Sequence, residues 1–520
     1  MQPEAGLTAG LRLTHTSCFR TRLLHTRATT RMNDNTRTTP LSATVVPDAE
    51  GPDHLVARLA PDRLGFRPER IWNPSPSRLH RTSPWPLPKT LVIGIHGNPD
   101  TGAKYSPPPF AVGLAGKGRW CLVSVVADPG WHLWNEVIFA ADESGVTVRI
   151  DLEGRSDPGA VAAHVKVVAL PSKPDETPMA LLARGLRLHY PAACDPAPPA
   201  PGWWLRPSYC GWGDQVTLSM WLEGVGHEGR AGVYNTQGLY ERWIRRLERA
   251  KLPVGTVTVD AGWSPTGTLK PRRGGWPDLK AFTRRQHEAG RKVLLWLGAW
   301  LAEGLPDAWC VTNGVVRIVD PTHPEYRRYL RDQVRELLAP DGFDADGFKI
   351  DQLAYCPSVR HPRGEESPET GSAGARPIHL AGPGWGCELM HQLQRDIFAA
   401  AKAAKPDCLI TSSTVHPYFH DTFDMVRLHD MGHVAEDIFA AMGARADLAR
   451  AALPSKLVDT DDWIHTDYDL WLRYTSGSGR LGVPCIFYAE RFMQNWSAEP
   501  ATRLIPLRDL RRIGAAWRRG

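Results

Sequence analysis

The sequence predicts an α/β protein, a (β/α)8 TIM barrel preceded by an N-terminal β-sandwich. Residues from about 46 to 190 carry β-branched and aromatic runs separated by Gly, Pro and Asp, as strands and turns do. A Pro-rich stretch, "DPAPPAPGW" at 195–203, marks a change of pattern. Beyond it, short apolar runs alternate with amphipathic helical stretches, the signature of βα units around a parallel sheet.

The elements follow in chain order. Residues 1–45 hold six Arg against two acids, Glu4 and Asp34, and lack the apolar core of a secretory signal. They read as a disordered tail, or as a start assigned upstream of Met32. The sandwich is expected over 46–194, with strands in "KTLVIGIHG" (89–97), "RWCLVSVVA" (119–127), "EVIFAADESGVTVRIDL" (136–152) and "AAHVKVVAL" (162–170). A linker is expected over 195–205 and the barrel over 206–520. Its eight strands fall near 208–212, 256–260, 293–298, 347–351, 408–412, 425–429, 456–460 and 483–488. Helical patterns separate most of them, at 240–251, 279–290 and 323–338 among others, while the fifth connection is too short for a full helix.

Composition excludes several function classes. The formal charge is +6, of which the first 45 residues supply +4, so the body is near neutral and shows no footprint for nucleic acid. No apolar run reaches the roughly 18–20 residues that span a bilayer, so no membrane partner is expected. Nine cysteines stand singly with no CxxC pair, which argues against a disulfide framework or a structural zinc and predicts a reducing, cytoplasmic setting. Twenty tryptophans serve either a large core or flat surfaces for stacking on sugar rings.

Barrel active sites lie at the C-terminal ends of the strands. There the sequence places Asp260 and Trp263 after strand two, Lys349 and Asp351 on strand four, Arg427, His429 and Asp430 at the end of strand six, and Asp459, Asp461, Asp462 and Trp463 at the end of strand seven. Glycoside hydrolysis needs two carboxyl groups around the scissile bond, about 5–5.5 Å apart when configuration is retained. One must stay ionised, and a cation such as Lys349 favours that. Lys349 and Asp351 are two apart on a strand, so both face the barrel interior. A lone Asp at a strand end otherwise serves as a cap or turn former, and Asp461 or Asp462 fits that role as well.

Several motifs resemble those of glycoside hydrolase clan D, chiefly the α-galactosidase families 36 and 27 and more distantly family 31. They are "PSYCGWGDQ" (207–215), "VTVDAGW" (257–263), "WPDLKAFTRRQHEAGRKVLLWL" (276–297), "DPTHPEYRRYL" (320–330) with "DGFKID" (346–351), and "DTDDWIHTDYDLWLRY" (459–474). The resemblance spans roughly residues 203–490, and the β-rich region before it is similar to the supersandwich of family 36. It implies a retaining α-glycosidase with Asp351 as nucleophile, Asp430 as acid/base and no cofactor or metal. Lys349, Asp260, Trp212, Trp263, Trp296, Arg427, Asp461 and Asp462 are implied around an oligosaccharide or glycoside substrate, with Asp461 or Asp462 the alternative acid/base. Two departures stand out. Ala261 replaces the second acid of the strand-two pair that grips galactose, and "VRLHDMGH" is not the usual strand-six form. A raffinose-synthase-like transglycosylase shares the first chemical step. A sugar-binding protein without catalysis and a metal-dependent hydrolase are the remaining readings. No HxH or HExxH spacing supports the last.

Overall fold

The computed structural model describes residues 39–75, 84–96, 106–224, 228–312, 317–360, 378–429, 437–464, 467–494 and 501–519. Most of the span read as a tail therefore lies outside the described residues, as do Asp430 and much of the loop 356–386.

The N-terminal part is an antiparallel sandwich. One sheet has six strands, in the order Leu41–Ala43, Val165–Pro171, Arg119–Ala127, Ala111–Gly116, Arg70–Trp72 and Trp85–Pro86. The other has five, in the order Val46–Pro47, His54–Leu59, Gly145–Asp151, Glu136–Asp142 and Lys89–Gly94. Alternation builds it: in His54–Leu59 the residues Leu55, Ala57 and Leu59 are buried and those between are more exposed. The single run at 136–152 is a hairpin. The Ser144 amide donates to Asp142 Oδ1 at 2.7 Å, and Gly145 turns the chain at φ +131°, a conformation open to glycine.

Three details add to the expected organisation. Leu41–Ala43 pairs with Val167–Ala169, so the sandwich begins before residue 46. Pro178–His189 is a helix inside the region read as β-rich. Its start is capped by Thr177 Oγ1, which accepts from the Ala180 amide, and it buries Leu181, Leu182 and Leu186. The expected linker is packed rather than loose. Gly202–Leu205 forms a 3-10 turn, Trp204 Nε1 donates to the Asp407 carbonyl at 3.0 Å, and Trp203 and Trp204 cover Leu294, Leu409, Met425 and Val483.

The barrel strands are β1 (Ser208–Cys210), β2 (Thr256–Val259), β3 (Lys292–Gly298), β4 (Gly347–Asp351), β5 (Leu409–Ser412), β6 (Met425–Arg427), β7 (Leu457–Asp459) and β8 (Cys485–Ile486). All are parallel and pair in sequence order, with β8 beside β1. The ring closes through a parallel bridge between Asp459 and Val483. Between β5 and β6 the described connection holds only the 3-10 turn Pro417–Phe419, as the short spacing predicts. In β4, Phe348 and Ile350 are fully buried on one face while Lys349 and Asp351 point into the barrel.

The start of β4 is fixed twice over. Asp346 accepts from the Val293 amide at 2.9 Å and lies 2.6 Å from His287 and 3.0 Å from Lys405. Burial would raise its pKa, but His287 and Lys405 bring it down to about 2. Gly347 then takes φ +145°, and a Cβ there would sit 1.9 Å from the Leu409 carbonyl oxygen. Gly347→Ala is expected to cost more than about 3 kcal/mol of stability, read as a lower denaturation midpoint in urea.

Candidate active site

Asp351 ends β4 at the C-terminal mouth of the barrel, with its side chain 17% exposed. Its two oxygens are held unequally. Oδ1 accepts from the Gln352 amide at 2.8 Å and lies 3.3 Å from His429 Nε2 and 3.5 Å from Arg427 Nη1. Oδ2 accepts from Trp296 Nε1 at 3.1 Å. Burial alone would raise this pKa. Arg427, His429 and Lys349 outweigh it and hold the carboxyl well below the usual carboxylate range. Gln352, at φ +57°, turns the chain sharply away just after it.

A network of buried charges lies beneath. Lys349 Nζ is 2.9 Å from Asp260 Oδ2 and 3.7 Å from Asp461 Oδ2. Burial favours the neutral amine, but these two carboxylates dominate and raise the Lys349 pKa well above its ordinary value. Arg427 Nε meets Asp461 Oδ2 at 2.5 Å, and its Nη1 donates to the Ile350 carbonyl at 2.9 Å. Asp461 is thus clamped by two cations, and its amide donates to Asp459 Oδ1 at 2.9 Å. Asp459 faces a cavity of about 20 Å³ inside the barrel, lined also by Ser208, Thr256, Thr258 and Thr411. That volume holds roughly one water.

The structure brings together Asp351, Lys349, Arg427, Trp296, Asp260 and Asp461, but not all of them as sugar contacts. Asp260 is 2% exposed, with Oδ2 taken by Lys349 and Cys210 Sγ and Oδ1 by the Ala261 amide, so it is a counter-ion rather than a hydroxyl ligand. Lys349 and Asp461 are buried in the same network. Trp263 is fully buried and donates to the Trp296 carbonyl at 2.8 Å, which makes it core rather than pocket wall. Trp212 is partly exposed and packs edge-on to Trp463 at 6.0 Å, with Asp462 next in the chain and 5% exposed. Asp430 lies outside the described residues.

The sequence places His429 at the end of strand six without giving it a role, and the structure sets it beside Asp351, two residues beyond β6 at φ +60°. One contribution escapes sequence reasoning. The sandwich grips the loop after β4. Glu153 accepts from Ser358 Oγ at 2.8 Å, from the Val359 amide at 2.6 Å and from Asn135 Nδ2 at 3.0 Å. Nearby, Arg360 pairs with Asp151, and His96 Nε2 lies 2.8 Å from the Cys356 carbonyl. No local pattern announces contacts more than 200 residues apart.

Neither a protein-family model nor a curated protein matches the sequence. Solved structures do match its fold. The cycloalternan-degrading enzyme from Trueperella pyogenes, in complex with covalent intermediate, is similar with a TM-score of 0.55 and 14% identity over 91% of this chain and 65% of that one. A xylosidase from Aspergillus niger has a TM-score of 0.55 and 14% identity over 86% and 62%. A GH31 alpha-xylosidase from a soil metagenome, complexed with xylose, has a TM-score of 0.52 and 14% identity over 84% and 57%. The chain spans less than two thirds of each of these proteins. At this identity the likeness is one of fold, a β-rich region followed by an eight-stranded barrel.

Asp459 gives the network a measurable signature. Burial, reinforced by Asp461, raises its pKa from 3.8 to about 7 against the pull of Arg427 and Lys349. The folded state therefore holds a proton that the unfolded chain releases between about pH 4 and 7, and stability falls as pH rises through that window. Asp459→Asn, which mimics the protonated form, should gain in Tm relative to the wild type from about pH 4 to 7 and hold that difference above it. A flat difference across the window would contradict this.

Proposed function

We propose that this protein is a retaining α-glycosidase acting on terminal α-linked sugars, with Asp351 as nucleophile and Asp430 as acid/base. The observation that carries the reading is the setting of Asp351: a carboxylate at the barrel mouth with an amide donor and two ion-pair partners, His429 and Arg427, on Oδ1 and one indole donor on Oδ2, which together favour its ionised form. Oδ2, the less engaged oxygen, is the attacking atom. It bonds to the anomeric carbon as the glycosidic C–O bond breaks, and Asp430 gives its proton to the departing oxygen. Water, deprotonated by Asp430, then cleaves the glycosyl ester. The structure of the Trueperella enzyme in complex with covalent intermediate supports a two-step course.

For the family, the motifs favour the α-galactosidase-like families 36 and 27, and the structural neighbours add weight to family 31. The sugar is argued from strand two. Ala261 offers no carboxylate where galactose-specific pockets use one, and Asp260 is committed to Lys349. This weighs against galactose and toward a sugar with a different hydroxyl pattern, such as glucose, or with fewer hydroxyls, such as xylose. Transfer to an acceptor sugar differs only in the second step.

A panel of aryl α-glycosides (galactoside, glucoside, xyloside, N-acetylgalactosaminide) tests the reading. One of them should release its aryl group, with the α-anomer appearing first by NMR. Asp351→Ala should lower kcat by about 10⁴-fold or more, and azide should rescue it as a β-glycosyl azide. Release by an unchanged Asp351→Ala variant would remove Asp351 from the chemistry.

The acid limb of kcat/KM reports the nucleophile. His429 helps hold Asp351 ionised, so His429→Gln should move that limb to higher pH. A limb that stays in place would show that His429 does not tune the carboxylate.

A further inference from the structure

The far end of the barrel carries a second feature that the glycosidase reading does not use. A groove of about 780 Å³ opens on the N-terminal side of the strands, lined by residues that precede β1, β7 and β8, namely Pro207, Lys456 and Pro484. A second of about 700 Å³ adjoins it and shares Ser476, Gly477, Arg480, Ala516 and Arg519. Together they are lined by Arg450, Lys456, Arg473, Arg480, Arg512 and Arg519, and neither is lined by an Asp or Glu.

Local sequence explains the shape. The helix Leu507–Trp517 buries Leu510, Ile513 and Gly514 and turns Arg512 outward. Facing it, the helix Tyr468–Gly477 runs into a glycine-rich segment, "SGSGRLG" at 476–482. Gly482 presses against β7, where a Cβ would lie 2.2 Å from the Val458 carbonyl, and the small residues leave the groove floor open.

The cations differ in how far they are committed. Arg450 donates to the Leu481 carbonyl and Lys456 to the Phe423 carbonyl, while Arg473 lies over the Phe439 ring. Arg480, Arg512 and Arg519 are exposed, and their guanidinium groups have no hydrogen-bond or ion partner among the described residues. Ser476 Oγ, where the two grooves meet, is buried without a hydrogen-bond partner. Three free planar forks and an unused hydroxyl around one concavity match an oxyanion with several acceptor oxygens. The positive strip is short. A third hollow next to Arg473 and Arg512 is bounded by Asp467 and Asp469, which would repel a long polyanion.

We propose that this groove is a binding site for a small, multiply charged phosphate or polyphosphate anion, on the face of the barrel opposite Asp351. The proposal is independent of the glycosidase reading.

Calorimetric titration with inorganic pyrophosphate at low ionic strength tests it on the full chain. Saturable binding near one per chain is expected, with a matching rise in Tm. The double variant Arg480→Ala/Arg519→Ala should weaken it at least about tenfold, and Arg512→Glu alone should weaken it too. Arg58→Ala, on the sandwich, should leave it unchanged. All these side chains are exposed, and unliganded melting curves check that each variant is folded. No saturable binding, or equal binding by wild type and double variant, would overturn the proposal. So would binding to vesicles containing phosphatidylglycerol without binding to pyrophosphate, since that marks a membrane-facing surface.

Discussion

Lys349 and Arg427 stand side by side inside a barrel whose outer layers exclude water, and neither is tolerable there alone. An uncompensated buried charge costs several kcal/mol, so the interior must supply carboxylates in matching positions. Asp260 comes from β2, Asp351 from β4, Asp459 from β7 and Asp461 from just beyond β7. Four acids face Lys349 and Arg427, with His429 beside Asp351 as a further partner, and burial next to Asp461 favours a proton on Asp459. The same arrangement fixes geometry. Arg427 reaches from β6 to both Asp351 and Asp461, so strands four, six and seven are tied together at the mouth.

The sandwich contributes at a distance. Its hairpin end, through Asp151 and Glu153, holds the loop that leaves β4, and that loop begins at Gln352, whose amide donates to the nucleophile candidate. Burial raises the Glu153 pKa, and the bonds from Asn135, Val359 and Ser358 oppose that rise. A contact between domains thus becomes a constraint on one carboxylate. The helix Pro178–His189 works similarly on another side, packing between the sandwich strand Arg119–Ala127 and the barrel helix Ile438–Ala452.

Legibility in the sequence followed the physics of each element. The eight barrel strands were readable because both faces of a parallel sheet are covered, which writes a continuous apolar run. The shared face of Lys349 and Asp351 followed from the two-residue period alone. The burial of Trp263 is not legible because an indole beside an Asp looks the same in sequence whether it walls a pocket or fills a core. The pairing of Asp260 is not legible because only the fold reveals that Lys349 reaches it. The strand Leu41–Ala43 is too short to carry a pattern, and the contacts of Glu153 depend on chain segments far apart. His429 is legible as a residue at the end of strand six, but its contact with Asp351 depends on the backbone turn at φ +60° that follows β6.

The tryptophans of Gly202–Leu205 have a consequence for how this chain can be divided. Trp203 and Trp204 shield Leu294, Leu409 and Met425, from three different strands, and Val483, just before β8. Each is worth about 1.5–3 kcal/mol when fully buried. A barrel severed at residue 206 would open that cluster to water, so the smallest segment able to fold cooperatively starts upstream of the point where its first strand begins. Sequence composition draws the border at the prolines, whereas the folding unit ignores it.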